Sequence, residues 1–203
     1  MNQMVHSAMP ASQPRERLLA AAVEQARRGG IADLSLRELA AAIGTSHRML
    51  LYHFRSREGL LIAIAQAVEE TERATLLGGG VMPGDARRFW ARISDPALWP
   101  AERLFFELYV QALLGRLGDD QFPHRAVEDW IAPVAAAMVQ AGVSEAIARA
   151  DARLGLAVVR GLLLDLLATG DRDGVTQAYE RFLQLYEGSD SPPDQSGGHD
   201  PRA

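Results

Sequence analysis

The sequence predicts an all-α chain, with a small three-helix head at the N-terminus and a larger helical bundle after it. Three observations carry that prediction: apolar residues recur at three- and four-residue spacing, no stretch alternates convincingly as a half-buried strand does, and Gly or Pro punctuates the segments at helix length. With 203 residues, 48% of them hydrophobic and 23% charged, the chain can bury a substantial core, and disorder throughout is excluded.

Taken in order, residues 1–14 read as a disordered arm, and residues 15–28 as a helix with Leu18, Leu19, Ala22, Val23 and Ala26 on one stripe, ended by Gly29-Gly30. Ser35 and Glu38 form a capping box that satisfies backbone donors at the start of a second helix, near Leu36. Leu36, Leu39, Ala40 and Ile43 share one face of it, and Gly44 suits the left-handed residue that stops a helix. Thr45 or Ser46 then caps a third helix, residues 47–54, on which Leu50 and Phe54 are one turn apart and pack back onto the second. Ala40 is small enough for the two helices to cross closely. His47, Arg48, Leu51, Tyr52 and His53 are left pointing outward. This is the helix-turn-helix pattern, in which the N-terminal residues of the second helix of the pair meet base edges in the major groove of DNA.

Ser56 caps a long fourth helix over residues 57–77, with Leu60, Leu61, Ile64 and Val68 in its apolar stripe, before the run from Gly78 to Gly84 breaks the chain. Further helices are predicted at residues 87–93, 101–117, 123–141, 144–169 and 173–187, with Gly118-Asp119-Asp120 ending the second of these and Pro133 kinking or dividing the third. From residue 188 the chain has no apolar anchor and reads as a disordered tail. The domains expected are thus 15–56 for the head and 57–187 for the bundle, joined by the helix 57–77.

Charge follows the same division. The net charge is −5, but residues 1–60 hold eight arginines against five acids, a balance of +3, and the remainder is acidic at −8. Positive charge is concentrated where phosphates would lie.

The run GTS-HRMLLYHF-RSREGLL, preceded by LSLRELAAAIG and by a leucine-rich helix ending in Arg27-Arg28-Gly29-Gly30, resembles the N-terminal domain of the TetR family of transcriptional regulators over about residues 15 to 65. Met49 and Leu51 stand where that family commonly has Thr and Tyr, so base preference does not carry over at those two positions. Tyr52, His53 and Phe54 fit its pattern. The resemblance implies a homodimeric repressor with two heads on a palindrome-like site in double-stranded DNA, released when a small-molecule effector enters the bundle and shifts the linker helix. A head with a bundle that only dimerises is the alternative.

Candidate DNA contacts are Thr45, Ser46, His47, Arg48, Leu51, Tyr52, His53 and Arg57. Arg48 has the reach for a bidentate bond to guanine, Leu51 for a thymine methyl, and Tyr52 and His53 for backbone phosphates as the resemblance implies. By the same resemblance the bundle holds a ligand pocket, for which Trp90, Phe105, Tyr109, Trp130 and Asp165 are candidates. The helix at 144–169 is apolar nearly all round, which predicts a dimer surface, with Leu156, Val159, Leu163, Leu166, Val175, Tyr179 and Phe182 as its candidate residues.

The chain has no cysteine, which excludes disulfides and thiolate metal sites and fits a cytoplasmic protein. None of the five histidines has a partner at metal-ligand spacing, and no nucleophile elbow or phosphate cradle appears, so neither a metal, a cofactor nor catalysis is expected. The longest apolar stretch, residues 154–168, is interrupted by Arg160 and Asp165 and is too short to span a bilayer.

Overall fold

The computed structural model describes residues 12–28, 31, 33–79 and 83–189, and among them it contains nine α-helices, one 3-10 turn and no strand. Residues 1–11 of the expected arm, Gly29-Gly30, residue 32, residues 80–82 of the glycine-rich break and the tail from residue 190 lie outside the described residues, whereas residues 12–14, expected in the arm, open the first helix and residues 188–189, expected in the tail, close the last.

The head consists of α1 (Ser12–Arg28), α2 (Leu36–Ala42) and α3 (His47–Phe54). The capping box is present in both directions, with Ser35 N–H donating to Glu38 at 2.8 Å and Glu38 N–H donating to Ser35 Oγ at 3.3 Å. That reciprocal bond holds the Glu38 carboxyl below the usual carboxylate range. At the other end of α2, Gly44 takes φ +69°, while Gly44 N–H donates to Ala41 and Thr45 N–H to Ala40. This pair of bonds is a Schellman motif, and it makes the turn between the two helices of the motif. Ser46 then caps α3 by accepting from Met49 N–H at 3.2 Å.

The junction from α3 to α4 (Arg57–Gly79) is tighter still. Arg55 has φ +69° and ψ −42°, and Ser56 N–H donates to Phe54 C=O at 2.8 Å, which is a γ-turn of the left-handed kind. Ser56 Oγ caps α4 through Gly59 N–H at 2.9 Å. No larger residue fits at 59, because a Cβ there would overlap the Phe54 carbonyl oxygen.

Beyond α4 come α5 (Pro83–Ile93), a 3-10 turn (Pro96–Leu98), α6 (Trp99–Leu113), α7 (Phe122–Gln140), α8 (Glu145–Thr169) and α9 (Arg172–Ser189). One core joins head and bundle: Ala22 and Ala26 of α1, Leu39, Leu50, Phe54 and Leu60 to Ala65 are continuous with Leu104, Phe105 and Leu108 of α6 and Phe122 of α7. A second core, around Phe89, Trp90, Trp130, Leu166 and Tyr179, gathers α5, α7, α8 and α9.

Several expectations are corrected by these elements. The glycine run does not stop α4 at residue 77, since the helix continues to Gly79; a glycine within a helix costs about 1 kcal/mol relative to alanine and need not end it. In contrast, α6 ends at Leu113 rather than near residue 117. Gly115, at φ +68°, closes it with bonds from Gly115 N–H to Ala112 and Arg116 N–H to Gln111, another Schellman motif. Pro133 does not divide α7, whose flanking Ile131 and Ala135 are both buried against Ala148 and Ala152 of α8.

Candidate nucleic-acid interface and internal cavity

The buried side of α3 is fixed by Leu50 and Phe54, the latter capped by the Arg15 guanidinium 5.1 Å from its ring centre. The opposite side is open. Tyr52 is 76% exposed, Met49 and Leu51 are exposed, and Arg48 makes no hydrogen bond or ion pair with any described residue. Thr45 and His47 are half-buried at the start of α3 and Ser46 is exposed there, its Oγ already accepting from Met49 while its hydroxyl hydrogen can still be donated. His53 is half-buried against Tyr52, ring centres 4.9 Å apart, and its Nε2 is buried without a protein partner. A buried Nε2 cannot itself reach a phosphate. Arg57 has a second task, because its Nε donates to the Leu34 carbonyl at 2.8 Å and so ties α4 to the loop before α2. Arg37 on α2 and Arg55 at the γ-turn were not among the expected contacts, yet both are exposed and make no ion pair among the described residues.

A cavity of about 410 Å³ lies within the bundle. Its apolar wall includes Leu76, Phe89, Phe105, Phe106, Trp130, Val134, Met138, Leu156, Val159, Leu163 and Phe182, contributed by α4 through α9. Two of the five expected pocket residues, Phe105 and Trp130, line it. The other three do not. Trp90 lies behind the wall, stacked on Tyr179 at 4.8 Å with its Nε1 donating to Thr176 Oγ1 at 3.1 Å. Tyr109 stacks on Phe105 at 5.7 Å and packs toward the shared core, and Asp165 is exposed on the outer face of α8.

The polar groups in the cavity are ones that sequence reasoning missed: Glu69 and Glu72 of α4, Glu102 of α6, and Asp151 and Arg160 of α8. Glu69 Oε2 accepts from Trp130 Nε1 at 2.6 Å and from Arg160 at 3.1 Å. Glu72 accepts two bonds from Arg92 of α5, at 2.6 and 3.1 Å. Asp151 accepts from the Tyr186 hydroxyl at 2.8 Å. Glu102, only 4% exposed, has no hydrogen bond or ion pair among the described residues. Burial, reinforced by repulsion from Glu69 and Glu72 against a weaker pull from Arg160, pushes its carboxyl up to about 8. Burial also raises Glu69, partly offset by Arg160, Trp130 and Arg73.

The expected dimer residues are mostly interior to the protomer. Leu163, Leu166, Val175 and Tyr179 are buried in the second core, and Leu156, Val159 and Phe182 are half-buried and face the cavity. An apolar stripe does remain outside on α8, at Leu154, Ala157, Gly161 and Leu164, with Leu185 exposed on α9.

Among the described residues no group of three or more His, Cys, Asp or Glu could hold a metal ion, and no helix is long and apolar enough to cross a membrane. Residues 18–64 match the profile of the bacterial regulatory proteins of the tetR family. No curated protein matches the sequence. Among solved structures, a protein from Rhodococcus sp. assigned to the TetR family of transcriptional regulators is similar, with 25% identity and a TM-score of 0.61 over 85% of this chain and 99% of the other. A transcriptional regulator from Rhodococcus sp. Rha1 aligns at 21% identity and a TM-score of 0.66, covering 88% and 99%. A TetR-family transcriptional regulator from Pectobacterium atrosepticum shares the fold at 17% identity and a TM-score of 0.66, covering 88% and 95%.

Proposed function

We propose that this chain, whose residues 18–64 are a TetR-family regulatory domain and whose length has the fold of TetR-family regulators, is a sequence-specific DNA-binding transcriptional repressor that works as a homodimer in the cytoplasm and is released by a small molecule. The observation that carries the reading is the division of α3. One side is locked by caps and core, while the other presents Arg48 and Tyr52 to solvent without described ion pairs. Such a helix is positioned but unsatisfied, as a major-groove reader must be before it meets DNA.

Arg48 is the base-reading candidate, and Thr45, Ser46, His47, Tyr52 and His53 surround it as contacts to phosphate or base edge, with Leu51 against a methyl group and Arg57 a contact shared with its bond to Leu34. The stripe of Leu154, Ala157, Gly161 and Leu164 on α8, with Leu185 of α9, is the surface on which a second copy is proposed to pack. Two-fold pairing would then present two α3 helices to a palindrome-like site.

The cavity supports the ligand-responsive reading over a bundle that only dimerises, because its wall sets nearly buried carboxyls beside a broad apolar surface, a combination that a purely structural bundle has no need to hold. Its wall includes Glu69, Glu72 and Leu76 of α4, and α4 is joined to α3 by the three-residue γ-turn. A ligand that prefers the geometry unsuited to DNA by ~100-fold supplies about 2.7 kcal/mol of coupling per site. Repression is the sign adopted because a dimer seated on a promoter blocks polymerase without a further contact.

A gel shift against the DNA upstream of the protein's own gene tests the assignment. Arg48→Ala and Tyr52→Ala should each weaken the complex, and unchanged binding of both removes α3 as the reader.

A further inference from the structure

The cavity's charges do not balance. Glu69 has Arg160, and Glu72 has Arg92, but Glu102 has no cation of its own among the described residues, although it lines the same space and is almost wholly buried. A buried carboxylate without a partner is costly, so Glu102 is held as the neutral acid near neutral pH. Anions are disfavoured by Glu69, Glu72 and Asp151 together. A shared metal ion has no support, since the described acids do not cluster at ligand spacing. What the wall does offer is aromatic surface beside the acid: Arg160 already sits over one face of Phe105 and Arg73 over one face of Trp130, and Phe106 carries no such cation among the described residues, so its ring is the one available to a further positive centre. The volume of about 410 Å³ suits a drug-sized organic molecule rather than a small ion.

We infer that the cavity takes a hydrophobic cation, an apolar body carrying one positive centre, with the Glu102 carboxylate as its counter-ion. The inference rests on the ligand-binding reading of the bundle and names the class of its effector. On binding, Glu102 releases its proton to solvent and pairs with the incoming charge, so the interior changes from a neutral acid to a closed ion pair. The charged and titratable groups around it are Glu69, Glu72 and Arg73 on α4, Arg92 on α5, Asp151 and Arg160 on α8, and Tyr179 and Tyr186 on α9. Each of these except Tyr179, held by a bond to the Ala86 carbonyl, already has a partner of opposite charge or a side-chain hydrogen bond.

The test uses two probes of similar shape, tetraphenylphosphonium and the neutral triphenylphosphine oxide, titrated calorimetrically into the full chain. The wild type should bind the cation at least about tenfold more tightly than the neutral compound, and Glu102→Gln should remove that preference. Titration at pH 7 in buffers of different ionisation enthalpy should reveal about one proton released per cation by the wild type and none by the variant. Equal affinity for both probes in the wild type, or a cation affinity untouched by Glu102→Gln, overturns the charge assignment while the ligand reading stands. Binding of neither probe overturns the cavity as a site for such compounds altogether. The comparison of the two probes in the wild type needs no variant to fold.

Discussion

Trp130 Nε1 donates a 2.6 Å hydrogen bond to Glu69 Oε2, and through it α7 is bonded directly to the helix that leads to the DNA-facing head. Indole nitrogen has no other partner, and Glu69 is a half-buried carboxyl whose remaining bond comes from Arg160. Trp130→Phe keeps most of the apolar bulk and deletes the donor. It should cost ~1–3 kcal/mol of stability, measured by urea denaturation, because Glu69 loses a bond in a site that water cannot fully replace.

Glu102 sets a pH dependence with a definite sign. The folded protein holds this proton up to about pH 8, whereas the ordinary value of 4.5 applies once the chain unfolds. Between those limits the unfolded state binds fewer protons, so stability is fully present below about 4.5 and falls as pH rises toward 8. The raised Glu69 carboxyl acts in the same direction. Urea midpoints taken at pH 5, 6, 7 and 8 should decline for the wild type and decline less for Glu102→Gln, and parallel curves would show that Glu102 is not the group responsible.

Gly59 contacts no expected DNA group, yet its substitution should affect DNA binding. A Cβ at this position meets the backbone carbonyl of Phe54, so Gly59→Ala must displace α4 from α3 or open the γ-turn. Loss of at least ~1 kcal/mol of stability together with weaker operator binding in a gel shift is the expected result. Arg55→Gly should do the opposite to stability, gaining ~0.5–1 kcal/mol because φ +69° is strained for any residue with a Cβ.

Two leucines of α8 separate the fold from the assembly. Leu164 is 50% exposed and Leu166 is fully buried. Leu164→Glu should convert a dimer to a monomer in sedimentation with the helical content retained, whereas Leu166→Ala should cost ~2–5 kcal/mol of protomer stability. A wild-type chain that sediments as a monomer at micromolar concentration would remove the dimer from the proposal.

The head was legible because its information is local. Ser35 with Glu38, Gly44, and Ser46 before an apolar pair are short-range devices, each acting within one or two turns of helix, and the structure reproduces their hydrogen bonds. The cavity was not legible because its polar groups come from different helices, and an acid on a helix ordinarily reads as part of a solvated face. A signal was present all the same. Ile64, Val68 and Glu72 are spaced four apart, and Glu102 lies three residues before Phe105, so each acid occupies a position that its helix otherwise gives to buried apolar residues. The residues expected at a dimer surface are covered within the protomer for a different reason. When a helix is apolar on most sides, periodicity says that two surfaces are covered but not which of them the protomer covers itself.

Leu39, Leu50 and Phe54 share one uninterrupted core with Leu104 and Leu108 of α6 and with Phe122 of α7. The reading head is therefore not an interchangeable cartridge. A chimera cut between α3 and α4 would expose the apolar footprint that α1 leaves on α4 and α6, and would offer a transplanted head no matching seat. Exchange of operator specificity between this protein and its relatives should succeed by replacing the outward residues of α3 alone, and grafts of the whole head should succeed only when the facing side of α6 travels with it.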